Sequence, residues 1–92
     1  MKPDLRELSR GFSLLSDPTR LGILRLLTKG PRNVTALCEA LGLKQPSVSH
    51  HLGLLRMGRL VNGVRQGKTV IYTTDKAATK ALASGLAAVM PR

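Results

Sequence analysis

Residues 33–58 read NVTALCEALGLKQPSVSHHLGLLRMG, two apolar periods separated by a glycine turn. In the first, Val34, Leu37, Cys38 and Leu41 share one face of a short helix that Asn33 can cap and Gly42 can end. After the turn Gly42-Leu43-Lys44, Pro46 restarts a helix near its first position. Val48, Leu52 and Leu55 then recur at helical spacing until Gly58. Two short helices joined by a glycine-containing turn predict a helix-turn-helix over about residues 33–58.

Outward from this pair the pattern is also periodic. Towards the N-terminus, Leu5, Leu8, Phe12 and Leu15 make a single stripe, predicting a first helix over about 4–15. Asp17-Pro18 then supplies a cap and a first-turn proline for a second helix. Its Leu21, Ile23, Leu24, Leu26 and Leu27 predict burial on several sides, and Gly30-Pro31 ends it. Towards the C-terminus, 60–64 and 69–73 are rich in β-branched residues and flank Arg65-Gln66-Gly67-Lys68, predicting a β-hairpin over about 60–74 with a basic tip. Asp75 can cap a final alanine-rich helix over about 75–90, with Leu82, Leu86 and Val89 on one side. The whole, residues 1–92, is predicted to be one mainly α domain of four helices, a hairpin and a fifth helix.

The chain is 92 residues long, with 15 Lys and Arg against 5 Asp and Glu, a formal net charge of +10. That balance points to a polyanionic partner, and the 42% apolar content sets the chain apart from a disordered basic tail. Phe12 and Tyr72 are the only aromatics of the Phe, Trp and Tyr class, a poor platform for stacking single-stranded bases, so a duplex is favoured. From Ala40 to Thr74 there are five cations and no acid. The five acids, Asp4, Glu7, Asp17, Glu39 and Asp75, are dispersed outside this segment, and with no paired nucleophile and base or phosphate-cradling loop the chain does not read as an enzyme. The lone Cys38 forms no intrachain disulfide, the N-terminus carries no apolar leader-like run, and Ala81–Met90 is about half a membrane span; the chain is expected to be cytoplasmic and not membrane-bound.

On the second helix of the pair, the core direction set by Val48, Leu52 and Leu55 places Pro46, His50 and Gly53 nearly opposite, with Gln45, Ser47 and Ser49 on the flanks. Gln can bond adenine through two groups, Ser and His supply single donors or acceptors, and Gly53 obstructs nothing; these side chains suit a major groove. His51 points about 100° away from His50, towards the core side, and the two do not easily share one metal ion. Lys44 stands where an oxygen-bearing cap is usual and opposes the helix dipole, which a DNA phosphate would reverse. Arg65 and Lys68 in the hairpin are expected to grip backbone or minor groove. The expected DNA-binding set is therefore Lys44, Gln45, Ser47, Ser49, His50, Arg65 and Lys68.

Two runs, Leu15-Ser16-Asp17-Pro18-Thr19-Arg20-Leu21 and Gln45-Pro46-Ser47-Val48-Ser49-His50-His51-Leu52, resemble winged-helix repressors of the arsenic-repressor-like (ArsR/SmtB) family, and the likeness extends over about residues 5–90. The resemblance implies a winged helix-turn-helix, a homodimer formed by the first and last helices, and repression of transcription from a palindromic operator. A small-residue last helix and a marginal core agree with association, although packing within one chain is open for that helix. Where thiolate-sensing members carry Cys-x-Cys on the third helix this chain has Asn33 and Thr35, and its last helix has no His. No metal and no cofactor are therefore expected, and Cys38 reads as a buried structural thiol. A winged-helix protein-interaction module and a sequence-indifferent architectural DNA binder remain as alternatives, separable by salt dependence and sequence preference.

Overall fold

The computed structural model describes residues 4–90. Along the chain run α1 (Leu5–Leu14), α2 (Pro18–Thr28), α3 (Val34–Leu41), α4 (Gln45–Met57), β1 (Val61–Gln66), β2 (Thr69–Thr74) and α5 (Lys76–Val89). This is the expected order, and the fold is a winged helix-turn-helix.

Local chemistry sets the helix ends. Asp4 accepts from the Arg6 and Glu7 backbone N–H groups, Asp17 from Arg20, Asn33 from Ala36 and Asp75 from Ala78, at 2.8–3.2 Å. Each satisfies amides that the first helical turn leaves without a partner. Gly42 ends α3 at φ +67°, backbone that costs little only without a Cβ, and its N–H bonds the Cys38 carbonyl at 2.8 Å. Arg59 follows α4 in the same left-handed region at φ 62°, while the next amide, Leu60, reaches back to the Leu55 carbonyl at 3.0 Å.

One core joins α2, α3, α4 and the root of the hairpin: Ile23, Leu27, Leu37, Val48, Leu52, Leu55, Leu60 and Val61 are buried. Burying each aliphatic side chain contributes about 1.5–3 kcal/mol, so the Val48, Leu52 and Leu55 stripe alone fixes which side of α4 faces outward. The expectation for α2 is corrected: Ile23 and Leu27 are buried, Leu24 and Leu26 are partly covered, and Leu21 is half-exposed. The helix packs against α3, α4 and β2, and Leu21 lies on the side none of them covers. Cys38 is partly rather than fully buried, packed against the core edge.

The hairpin is antiparallel, in register from Val61 opposite Thr74 to Gln66 opposite Thr69. The expected four-residue turn is corrected to two residues, Gly67 and Lys68, with Gly67 at φ +63° in the first central position that a type II′ turn assigns to glycine. Arg65 consequently belongs to β1, opposite Val70, and Arg32 adds a one-residue third strand through paired backbone bonds with Tyr72 at 2.8 and 3.1 Å.

Helices α1 and α5 pack on each other at the edge of this core, which Leu14, Ala78 and Leu82 touch. A Cβ on Gly11 would collide with Leu82, and one on Gly85 with Leu8, so each helix offers a notch to a leucine of the other. Neither helix has a fully buried residue, and Leu5, Leu86, Val89 and Met90 are exposed. The last helix does therefore pack within the chain, but incompletely.

Candidate nucleic-acid interface

The turn between α3 and α4 presents the N-terminal half of α4 outward. Lys44, Gln45, Pro46, Ser47, Ser49, His50 and Gly53 are exposed, while Val48 between them is buried. The structure thus brings Lys44, Gln45, Ser47, Ser49 and His50 onto the outer surface of one helix, and its first turn is free of any acid. A Cβ on Gly53 would meet no atom within 4 Å.

Lys44 holds the cap position with extended backbone, φ −80° and ψ 153°, and makes no capping side-chain hydrogen bond. Pro46 contributes no N–H, and the Val48 N–H already bonds the Lys44 carbonyl at 3.2 Å. The Gln45 and Ser47 amides are left for an external acceptor, where the helix dipole favours an anion.

Arg65 and Lys68 lie on the hairpin, whose first strand packs at its root against α4; both are exposed. The Arg65 Nε donates to the Gly67 carbonyl at 3.4 Å, holding that guanidinium alongside the turn although the residue itself lies in the strand.

Behind this surface is a polar cluster that the sequence does not disclose. Arg20 donates through Nε to the Leu14 carbonyl at the end of α1, and its Nη1 lies 3.1 Å from His51 Nδ1 on α4. The Asp17 carboxylate accepts from the Arg20 backbone N–H at 3.1 Å and stands 3.9 Å from the same imidazole nitrogen. That backbone bond is the main cause holding the Asp17 carboxyl below the ordinary carboxylate range; partial desolvation opposes it, and the Thr19 amide and the Arg20 charge reinforce it. His51 is turned inward, as its helical angle predicts. The only advance signal of its partners was that Asp17, Arg20 and His51 all fall within the two distinctive sequence runs.

Among the described residues, no three His, Cys, Asp or Glu side chains come close enough together to hold a metal ion, and no helix is long and apolar enough to cross a membrane.

An outward polar helix face, a buried stripe beneath it and a hairpin carrying Arg65 and Lys68 beside it make up a winged helix-turn-helix. Comparison with known proteins gives the family. Residues 17–62 match the model described as bacterial regulatory protein, arsR family, and the chain belongs to that family. It is 48% identical over 62 residues to the arsenical resistance operon repressor of Escherichia coli, covering 66% of this chain and 53% of that one. The transcriptional repressor SdpR of Bacillus subtilis is 36% identical over 64 residues, 70% of this chain and 71% of its own. Among solved structures, HlyU from Vibrio cholerae superposes with a TM-score of 0.81 at 28% identity over the full length of both chains. The chain spans about half the length of several curated relatives it matches, such as the regulator NmtR of Mycobacterium tuberculosis at 49%.

Proposed function

We propose that this protein is a homodimeric, sequence-specific double-stranded DNA-binding regulator of transcription, a repressor acting in the cytoplasm without the metal sites usual in its family. The observation that carries the reading is the exposed face of α4, which offers base-reading chemistry at Gln45, Ser47, Ser49 and His50 while the opposite face is locked into the core. Lys44 and the uncapped amides behind it hold one phosphate, and Arg65 and Lys68 hold the backbone or minor groove beside the hairpin. Relatives named as repressors support the regulatory direction.

The dimer reading is supported by α1 and α5, which pack on each other yet leave Leu5, Leu86, Val89 and Met90 open. A two-fold axis through that pair presents the two α4 helices about 34 Å apart, one turn of duplex, and calls for a palindromic operator.

Selection of bound duplexes from a random pool, followed by titration over a salt series, tests both parts. Enrichment of an inverted repeat with half-sites about 10–10.5 base pairs apart is expected. Steep salt dependence with no enriched sequence would point instead to an architectural binder, and no duplex binding to a protein-docking module.

A further inference from the structure

The Arg20 guanidinium has two acceptors on two different helices. One is the Leu14 carbonyl, in the open last turn of α1; the other is His51 Nδ1 on α4, 31 residues along the chain. Its backbone is fixed in turn by the Asp17 cap at the start of α2. His51 is only 17% exposed, and its ring meets that of the outward-facing His50 edge-on, with centroids 5.3 Å apart and planes at 64°. A continuous line of contacts therefore runs from the end of α1, through Arg20 and His51, to a ring on the outer face of α4.

We propose that Arg20 and His51 are positioning residues for DNA reading: by clasping α1 to α4 they fix the roll of the reading helix and the orientation of the His50 ring. This rests on the proposal that α4 reads duplex DNA. Apolar packing alone does not determine that roll finely, because the Val48, Leu52 and Leu55 stripe tolerates small rotations that directional hydrogen bonds do not. The geometry also specifies the chemistry. A guanidinium only donates, so Nδ1 must accept, which requires the neutral imidazole with its proton on Nε2. Of the groups around that ring, the charged Asp17 and Arg20 approach from the start of α2, and the His50 imidazole is its neighbour on α4. Arginine is needed because a lysine carries the charge but lacks a planar fork to serve two acceptors in fixed directions.

The test uses the operator enriched by selection, with specific and non-specific affinities measured on the full chain alongside thermal stability. Arg20→Lys and His51→Phe are each expected to lower the specific-to-non-specific ratio about tenfold, with non-specific affinity and its salt slope unchanged. His51→Asn, whose Oδ1 falls where Nδ1 stands, is expected to restore the ratio to within about threefold of wild type. The double variant Arg20→Lys/His51→Phe should lose no more than either single change, as for partners in one interaction. Unchanged ratios in folded variants would overturn the proposal. So would ratios that fall only as far as the folded fraction falls, or a failure of His51→Asn to recover, since each leaves Arg20 and His51 with a merely structural part. A wild-type protein with no operator preference would instead refute the reading of α4 itself, and the clasp's role with it.

Discussion

Replacing Lys44 by serine should push stability and DNA binding in opposite directions. Lys44 already has the extended backbone of a capping residue, so serine fits without rearrangement. Pro46 has no N–H, which leaves the Ser47 amide as the donor a serine hydroxyl would satisfy. A capping bond is worth about 1 kcal/mol, and removing a cation from the positive end of the helix dipole about 0.3–1 kcal/mol. A gain of about 1.5 kcal/mol raises the melting temperature of a domain this size by about 6–12 °C, readable by circular dichroism. If Lys44 neutralises one phosphate in each subunit, the slope of log affinity against log salt falls by about 0.9 per subunit, or about 1.8 for a dimer. Fluorescence anisotropy on a labelled operator over a salt series measures it. A raised melting temperature with an unchanged slope would show that Lys44 faces solvent in the complex; an unchanged melting temperature would sink the capping argument.

Gly53→Ala should stabilise the free protein by about 0.8–1 kcal/mol, because the helix gains a better former and the new methyl meets nothing within 4 Å. Operator affinity should nonetheless fall if that surface closes on DNA, and undiminished affinity would place position 53 outside the contact. Gly85→Val should drive α1 from α5 by filling the notch occupied by Leu8, costing about 1–3 kcal/mol and weakening the proposed dimer in sedimentation equilibrium. The lowered folded-state pKa of Asp17 means its ionised form contributes stability above the unfolded value of about 3.9, lost as pH falls through the folded value. Asp17→Asn should flatten that part of the acid unfolding curve, and an identical pH profile in the two proteins would exclude Asp17 as its source.

What the sequence made legible was what repeats. The spacing of Val48, Leu52 and Leu55 identifies the inward side of α4 and, by subtraction, the outward side, so the exposed positions of Gln45, Ser47, Ser49 and His50 follow from the same period. Caps were legible for a related reason: Asp17, Asn33 and Asp75 act on amides three residues ahead, within the reach of local pattern, whereas the Asp4 cap of α1 is found only in the structure. The hairpin's existence was legible from its β-branched residues, but not its turn, because Arg65 and Gln66 continue β1 by backbone bonds that no side-chain pattern encodes. Arg32 opposite Tyr72 has no period at all, being a strand of one residue. Leu21 was misread since a stripe reports what could be buried, whereas burial depends on which neighbours arrive.

The Arg20 clasp marks a different limit. Each of its members is visible as a residue, and the inward turn of His51 follows from helical angle, yet Arg20 reaches His51, 31 positions away, through one directional bond and the Leu14 carbonyl, six positions back, through another. Hydrophobic periodicity cannot specify such a contact, because it constrains which side of a helix is covered and leaves the rotation within that side free over a few degrees. Base reading needs that residual freedom removed, since a hydrogen bond to a base edge weakens steeply with misalignment. The fold and the outward chemistry are thus set by repeated apolar residues, while the precision proposed for the reading surface rests on a small polar cluster which only the folded chain assembles.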